Sequence, residues 1–179
     1  MVEINRIAHK HGLPVIEDAA QSFGALYKGK RSCNSSTIGC TSFFPAKPLG
    51  CFGDGGAVFA QNENHYEKMK AMRIHGQVRR YTHKYICMGG RLDNLQAAIL
   101  NVKLKNYEKD IHRRQQVAKS YSKLLQNHVV TPKIKEDRTS VWAQYTIRVH
   151  DRNRLQEILK RKGIPTAVHY PIPMHLQEC

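Results

Sequence analysis

The spacing of apolar and polar residues changes period several times along the chain. Between Val2 and His11, Ile4, Ile7 and Ala8 recur at the i, i+3, i+4 spacing of one helix face. Gly12 suits the position just past a helix, and Pro14 follows where the helix must have ended. Leu13-Pro14-Val15-Ile16 is then a short apolar run closing on Glu17-Asp18, the pattern of a buried parallel strand whose polar residues emerge at its C-terminal end. Residues 40–44 predict a second strand, and Gly56–Ala60 a third after a glycine-rich turn. A helix is expected over 63–74. From Arg91 to about Gln126 one long helix is predicted, with Leu92, Leu95, Ala98, Ile99 and Val102 on a face for core or subunit packing. Val141–Val149 and Gly163–Tyr170 alternate enough for strands, with a short basic helix at Arg152–Arg161 between them.

This order predicts an α/β protein in three parts: a large-domain portion over 1–90, a connecting helix over 91–126, and a small α+β lobe over 127–179. Three parallel-type strands would leave two unpaired edges. A helix opens the chain where a strand should come first, so the sequence reads as a piece of a longer α/β protein. There is no internal repeat.

The composition is globular: 41% of the 179 residues are hydrophobic and 24% charged, with a mean hydropathy of −0.54. No window approaches the ~18 apolar residues of a membrane span. The opening MVEINRIAHKHG lacks the apolar core of a secretion signal, so a cytoplasmic protein is expected. The five cysteines (Cys33, Cys40, Cys51, Cys87 and Cys179) have neither CxxC nor Cys/His ligand spacing and read as reduced thiols.

Charge alters the picture more. Twenty-nine Lys and Arg against 14 Asp and Glu give a net +15, a balance that attracts phosphate esters and other polyanions. Residues 66–123 hold most of the excess, which reads largely as a solvated helix face. No aromatic-interleaved or recognition-helix pattern accompanies it, so neither a nucleic-acid nor a membrane partner is expected.

Two stretches carry candidate chemistry. In Ser42-Phe43-Phe44-Pro45-Ala46-Lys47-Pro48-Leu49-Gly50, Pro48 pushes Lys47 out of the helical region and Pro45 restricts Phe44 likewise. A stiff backbone then aims one amine in a fixed direction, and Phe43, Phe44 and Phe52 are expected to desolvate it, as Schiff-base chemistry requires. A surface loop lysine beside a glycine turn is the plainer alternative. In Val15-Ile16-Glu17-Asp18-Ala19-Ala20-Gln21-Ser22, a carboxylate at a strand end can serve a metal, a sugar hydroxyl or a protonated ring nitrogen, or merely cap a turn. No histidine or second carboxylate stands at ligand spacing, which argues against a metal.

Together EDAAQ (17–21), SFFPAKPLG (42–50), GDGGA (53–57), RIHG (73–76), RLDNLQAAIL (91–100) and HYPIPMH (169–175) resemble the DegT/DnrJ/EryC1/StrS sugar aminotransferases, pyridoxal 5′-phosphate enzymes of fold type I with an aspartate aminotransferase-like large domain. Within the family they look most like enzymes that aminate UDP-linked 3-keto sugar acids for O-antigen and related surface polysaccharides, with glutamate as donor. The resemblance implies that Lys47 takes the cofactor's aldehyde and later moves the proton. It implies that Asp18 pairs with the pyridine nitrogen, that Gln21 lies near the ring's 3-oxygen, and that Ser42 donates to the phosphate. Arg91, His169 and Tyr170 would contact the nucleotide-sugar. Whole members are longer homodimers, so this chain would lack N- and C-terminal parts. The family usually reads G-x-N-x-R before the long helix, its asparagine reaching the partner's phosphate, whereas Cys87-Met88-Gly89-Gly90-Arg91 has glycine there. An inactive truncated remnant and a basic polyanion-binding module are the other two expectations.

Overall fold

The computed structural model describes residues 1–178. Helix α1 (Val2–Lys10) ends as expected: the Gly12 N–H donates to the His9 carbonyl, the Leu13 N–H to that of Ala8, and Gly12 adopts φ +63°. Strands β1 (Ile16–Asp18), β2 (Leu26–Tyr27), β3 (Lys30–Arg31), β4 (Ile38–Ser42) and β5 (Gly56–Ala60) follow. Then come α2 (Glu63–Met72), whose first turn is capped by the Asn62 side chain, and the β6 (Gln77–Arg79) and β7 (Thr82–His83) hairpin. Helices α3 (Asn94–Leu104), α4 (Tyr107–Leu125) and α5 (Arg152–Arg161) complete the regular elements, with a short 3-10 turn at Met174–Leu176.

The main sheet has the order β1-β4-β5. β1 pairs parallel with β4, Asp18 facing Cys40, as the sequence leads one to expect. The third strand is where it was expected but runs antiparallel, with Ser42 opposite Gly56. The cause is the link: residues 43–55 fold on themselves, the Phe43 N–H donating to the Gly55 carbonyl and the Cys51 N–H to that of Phe43. A parallel return would need a crossover to the far end of the sheet. β4 alternates half-buried and buried residues, its Gly39 and Thr41 packed and Ile38, Cys40 and Ser42 less covered. Gly39 is required there, because a Cβ would lie 2.5 Å from the Cys33 Cα.

Phe43, Leu49, Cys51, Leu100 and Tyr107 form the core, with Phe23, Ala57, Leu92 and Ile111 packed against it. Phe23 touches three rings, Phe43, Phe59 and Tyr107, at centroid distances of 5.8, 6.1 and 6.0 Å. The Tyr107 hydroxyl also donates to the Phe23 carbonyl at 2.6 Å.

Three further expectations are corrected. The single helix over 91–126 is two, α3 and α4, interrupted at Lys105-Asn106. The break lets Leu100 and Tyr107 both reach the core, while Leu95 and Val102 of the expected face stay exposed. Neither Val141–Val149 nor Gly163–Tyr170 forms a strand; Arg148 makes one isolated bridge to Val130, since a ladder needs a neighbouring strand and none lies beside these segments among the described residues. The predicted burial of β1 is also absent within this chain, Ile16 being 67% exposed.

Burial pushes the Cys33 thiol from 9.0 up to about 11, with Glu17, Cys40 and Asp18 adding to the shift, and burial chiefly carries the Tyr107 hydroxyl from 10.0 up to about 12. Both groups are neutral when protonated, so the native state holds these protons more tightly than the unfolded chain. Their stabilising contribution is complete below about pH 9 and is lost as pH rises through the native values. Urea midpoints should therefore fall from pH 9 towards 12, and Cys33→Ala should remove the lower part of that fall. A midpoint flat to pH 11 would contradict the assignment.

Candidate active site

Asp18 is the last residue of β1 and Ser42 the last of β4, adjacent parallel strands. Asp18 faces Cys40 in the register, and Ser42 lies two positions further on, so all three share one sheet face. Strand spacing and rise put the Asp18 and Ser42 Cα atoms about 8 Å apart at the carboxyl end of the sheet, where ligands of α/β folds gather. The chain leaving β1 is tied to β4 twice: the Ala19 N–H donates to the Cys40 carbonyl at 2.7 Å, and the Thr41 hydroxyl to the Ala19 carbonyl at 3.2 Å. Asp18 Oδ1 accepts from the Ala20 N–H at 2.9 Å, which turns the chain so that Gln21 stands exposed beyond it.

Directly after β4 the chain makes the lysine turn. The Lys47 N–H donates to the Phe44 carbonyl at 2.8 Å, and the Phe44 N–H to Ser42 Oγ at 3.2 Å. Pro48, Leu49 and Gly50 are buried, Ala46 is exposed, and Lys47 is half-buried between them. Among the described residues Lys47 joins no ion pair. The three expected aromatic neighbours divide: Phe43 enters the core, whereas Phe44 and Phe52 are exposed. Asp18, Gln21, Ser42 and Lys47 thus follow from two neighbouring strand ends.

The other three expected residues are placed separately. Arg91 is exposed just before α3, following Gly90, whose N–H donates to the Arg73 carbonyl at 2.8 Å. His169 and Tyr170 are exposed beyond α5 and meet each other edge-on at 5.6 Å. No hydrogen bond or ion pair among the described residues links them to Asp18, Ser42 or Lys47. Gly89 has a local reason: a Cβ there would lie 2.9 Å from the His75 ring, which occupies the space a longer side chain would need.

Cys33 and Cys40 lie close to Asp18, and burial with the Glu17 and Asp18 charges raises both thiols, so neither is an activated nucleophile. Among the described residues no group of three or more His, Cys, Asp or Glu is placed to hold a metal, and no helix is long and apolar enough to cross a membrane. Cys33, Cys40, Cys51 and Cys87 are free thiols, and Cys179 lies outside the described residues. Two open clefts, about 310 Å³ beside Trp142 and about 660 Å³ beside α5, are not lined by Lys47 or Asp18.

In this α/β sheet a carboxylate closes β1 and a proline-framed lysine follows β4. The pattern of the DegT/DnrJ/EryC1/StrS aminotransferase family matches residues 1–179, and the chain belongs to that family. It is 55% identical over 175 residues to the UDP-2-acetamido-2-deoxy-3-oxo-D-glucuronate aminotransferase of Pseudomonas aeruginosa, covering 97% of this chain and 49% of that protein. The crystal structure of a DegT DnrJ EryC1 StrS aminotransferase from Brucella abortus superposes with a TM-score of 0.95 at 38% identity, over 98% of this chain and 47% of that one. NtdA of Bacillus subtilis, solved with bound cofactor PMP, gives 0.85 at 30% identity over 98% and 42%. The chain spans about half the length of the curated relatives it matches.

Proposed function

We propose that the chain forms the lysine-bearing half of a pyridoxal 5′-phosphate-dependent aminotransferase that moves an amino group from glutamate to a keto nucleotide-sugar, a UDP-linked 3-keto sugar acid. The observation that carries this reading is the emergence of Asp18 and Lys47 from the ends of adjacent parallel strands. The 55% identity to an enzyme of that substrate supports the sugar assignment. Surface polysaccharide or O-antigen synthesis, a cytoplasmic location and a homodimeric whole protein belong to the same proposal. So does the division into a cofactor-binding portion (1–90), a connecting helical segment (91–126) and a partial small lobe (127–179).

The residues present fit the cofactor by the chemistry of their donors. Asp18 Oδ1 is occupied by the Ala20 N–H, which leaves Oδ2 to accept a proton-bearing ring nitrogen. Ser42 Oγ accepts from the Phe44 N–H, which leaves its own O–H to donate to a phosphate oxygen. Gln21, exposed one turn after Asp18, offers an amide to the ring's 3-oxygen. The half-buried Lys47 amine supplies the nucleophile for the aldehyde. When bound, the cofactor provides an electron sink for a carbanion at the substrate carbon. With its amine free and neutral, Lys47 Nζ would be the base that takes the proton from that carbon and, as an ammonium, the acid that holds it for return. Arg91, His169 and Tyr170 are assigned to the sugar nucleotide. Arg73, Arg79, Arg80, Lys84 and Arg91 stand with no carboxylate between positions 73 and 91, a field that attracts an anionic substrate.

A second reading is a remnant that keeps the fold without turnover. Incubation of the cofactor-loaded protein with ¹⁵N-amino glutamate and the keto nucleotide-sugar separates them. Label in the product sugar is the expected result. Cofactor capture without any label transfer would show that this chain holds the cofactor but does not turn over by itself, and absence of both would overturn the aminotransferase reading. The third reading, a polyanion module, rests on the +15 charge alone and predicts a sequence-indifferent complex that dissolves as salt rises.

A further inference from the structure

We propose that Gln96 and Lys103 of α3 are positioning residues for Lys47, acting through the backbone of residues 50–52. The proposal rests on the role given to Lys47 above, although the contacts behind it do not. Gln96 and Lys103 are seven residues apart, two turns of the helix, and so present side chains on one face. Gln96 Oε1 accepts from the Phe52 N–H at 2.7 Å. The Lys103 ammonium donates to the Gly50 carbonyl and lies 5.8 Å over the Phe52 ring. Both polar side chains therefore point at main-chain groups of an irregular loop that has no ladder of its own.

That loop is in direct contact with the lysine turn. A Cβ at Gly50 would lie 2.6 Å from the Pro45 carbonyl oxygen and 2.7 Å from that of Phe44, so residue 50 packs against the backbone where the turn begins. Gly53 is similarly close to Gln96, 3.0 Å from its amide nitrogen to a built Cβ. Leu49 is anchored in the core with Leu100, a residue of the same α3 face. The turn bearing Lys47 is consequently held at its start by β4 through Ser42, and at its end by α3 through residues 49–52. Displacing Gly50 displaces residues 44 and 45, and the amine with them. A misplacement of even 1 Å can cost orders of magnitude in reactivity. Among the described residues neither Gln96 nor Lys103 hydrogen-bonds Asp18 or Ser42, and the loop at 50–52 is their route to the lysine turn.

The test compares wild type, Gln96→Leu, Gln96→Glu and Lys103→Met by two readouts. One is hydrogen exchange of the Phe52 amide, with the Leu100 amide as the fold reference. The other is the rate at which Lys47 is captured by pyridoxal phosphate and fixed with borohydride, followed by peptide mass spectrometry. Gln96→Leu should speed Phe52 exchange about tenfold, the loss of one hydrogen bond, and slow capture at Lys47 by a similar factor while other lysines label as before. Gln96→Glu keeps the acceptor oxygen and should restore both, and Lys103→Met should slow capture at Lys47 as well. Unchanged Phe52 exchange in Gln96→Leu, or a loosened amide with capture at the wild-type rate, would overturn the proposal. Should wild-type Lys47 take no pyridoxal phosphate, the assigned function fails instead. The positioning claim is then decided by the reactivity of Lys47 towards trinitrobenzenesulfonate, which the variants should alter and which, if unaltered, refutes it.

Discussion

Lys47→Ala should abolish the visible absorbance that pyridoxal phosphate acquires on the protein, and borohydride should then fix no pyridoxyl group on the 42–50 peptide. Removing a covalent nucleophile that also moves the proton should lower amino transfer by about 10³-fold or more. Lys47→Arg should be no better, because a guanidinium stays protonated and cannot attack an aldehyde. Stability should change little. Lys47 is half-buried but joins no ion pair among the described residues, so its loss is expected to cost no more than about 1 kcal/mol. Similar urea midpoints with a vanished band give the predicted pattern. A band that persists in Lys47→Ala would move the nucleophile to another of the chain's lysines.

Asp18→Ala should have the second largest effect, and by a different route. The carboxylate is held at the end of β1 by the Ala20 N–H and by the ties from Ala19 to β4. A negative charge fixed there favours the protonated form of a ring nitrogen facing it, and that proton is what makes the ring a strong electron sink. Its removal should leave capture at Lys47 largely intact while lowering amino transfer by about 10²-fold or more, so the two readouts separate. Asp18→Asn should behave like the alanine variant in transfer, since an amide carries no charge. Equal loss of capture and transfer would instead make Asp18 a structural residue of the β1 turn.

The placement of Asp18 at a strand end and of Lys47 in a stiff turn was legible in the sequence because the signals are local. Two prolines stiffen the backbone around Lys47 whatever the rest of the chain does, and Asp18 closes a short apolar run. Gly12 and the α5 boundaries were legible for the same reason. Elements that depend on distant partners were not. The alternation in Val141–Val149 is real, but alternation makes a strand only where another strand lies alongside, and Arg148 finds Val130 at a single bridge. β5 was placed correctly in sequence, yet its direction is decided by how residues 43–55 pack, which no periodicity records. The inward face of α3 was hidden for a chemical reason. Gln96 and Lys103 look solvated by type, but their targets are main-chain N–H and C=O groups, which only polar side chains can satisfy. The interruption at Lys105-Asn106 carries neither proline nor glycine, so nothing in the pattern marks it.

The account depends most on Asp18 and Lys47 addressing a single small ring from neighbouring strand ends. The direct measurement is the ¹⁵N chemical shift of ring-labelled pyridoxal phosphate bound to wild type, Asp18→Ala and Lys47→Ala, followed across pH. The predicted result is a nitrogen that stays protonated in wild type well above the pH at which the free cofactor loses that proton, and that loses it early in Asp18→Ala while the aldehyde carbon remains attached at position 47. A ring nitrogen whose titration ignores Asp18 would contradict the account, however well Lys47 captured the cofactor.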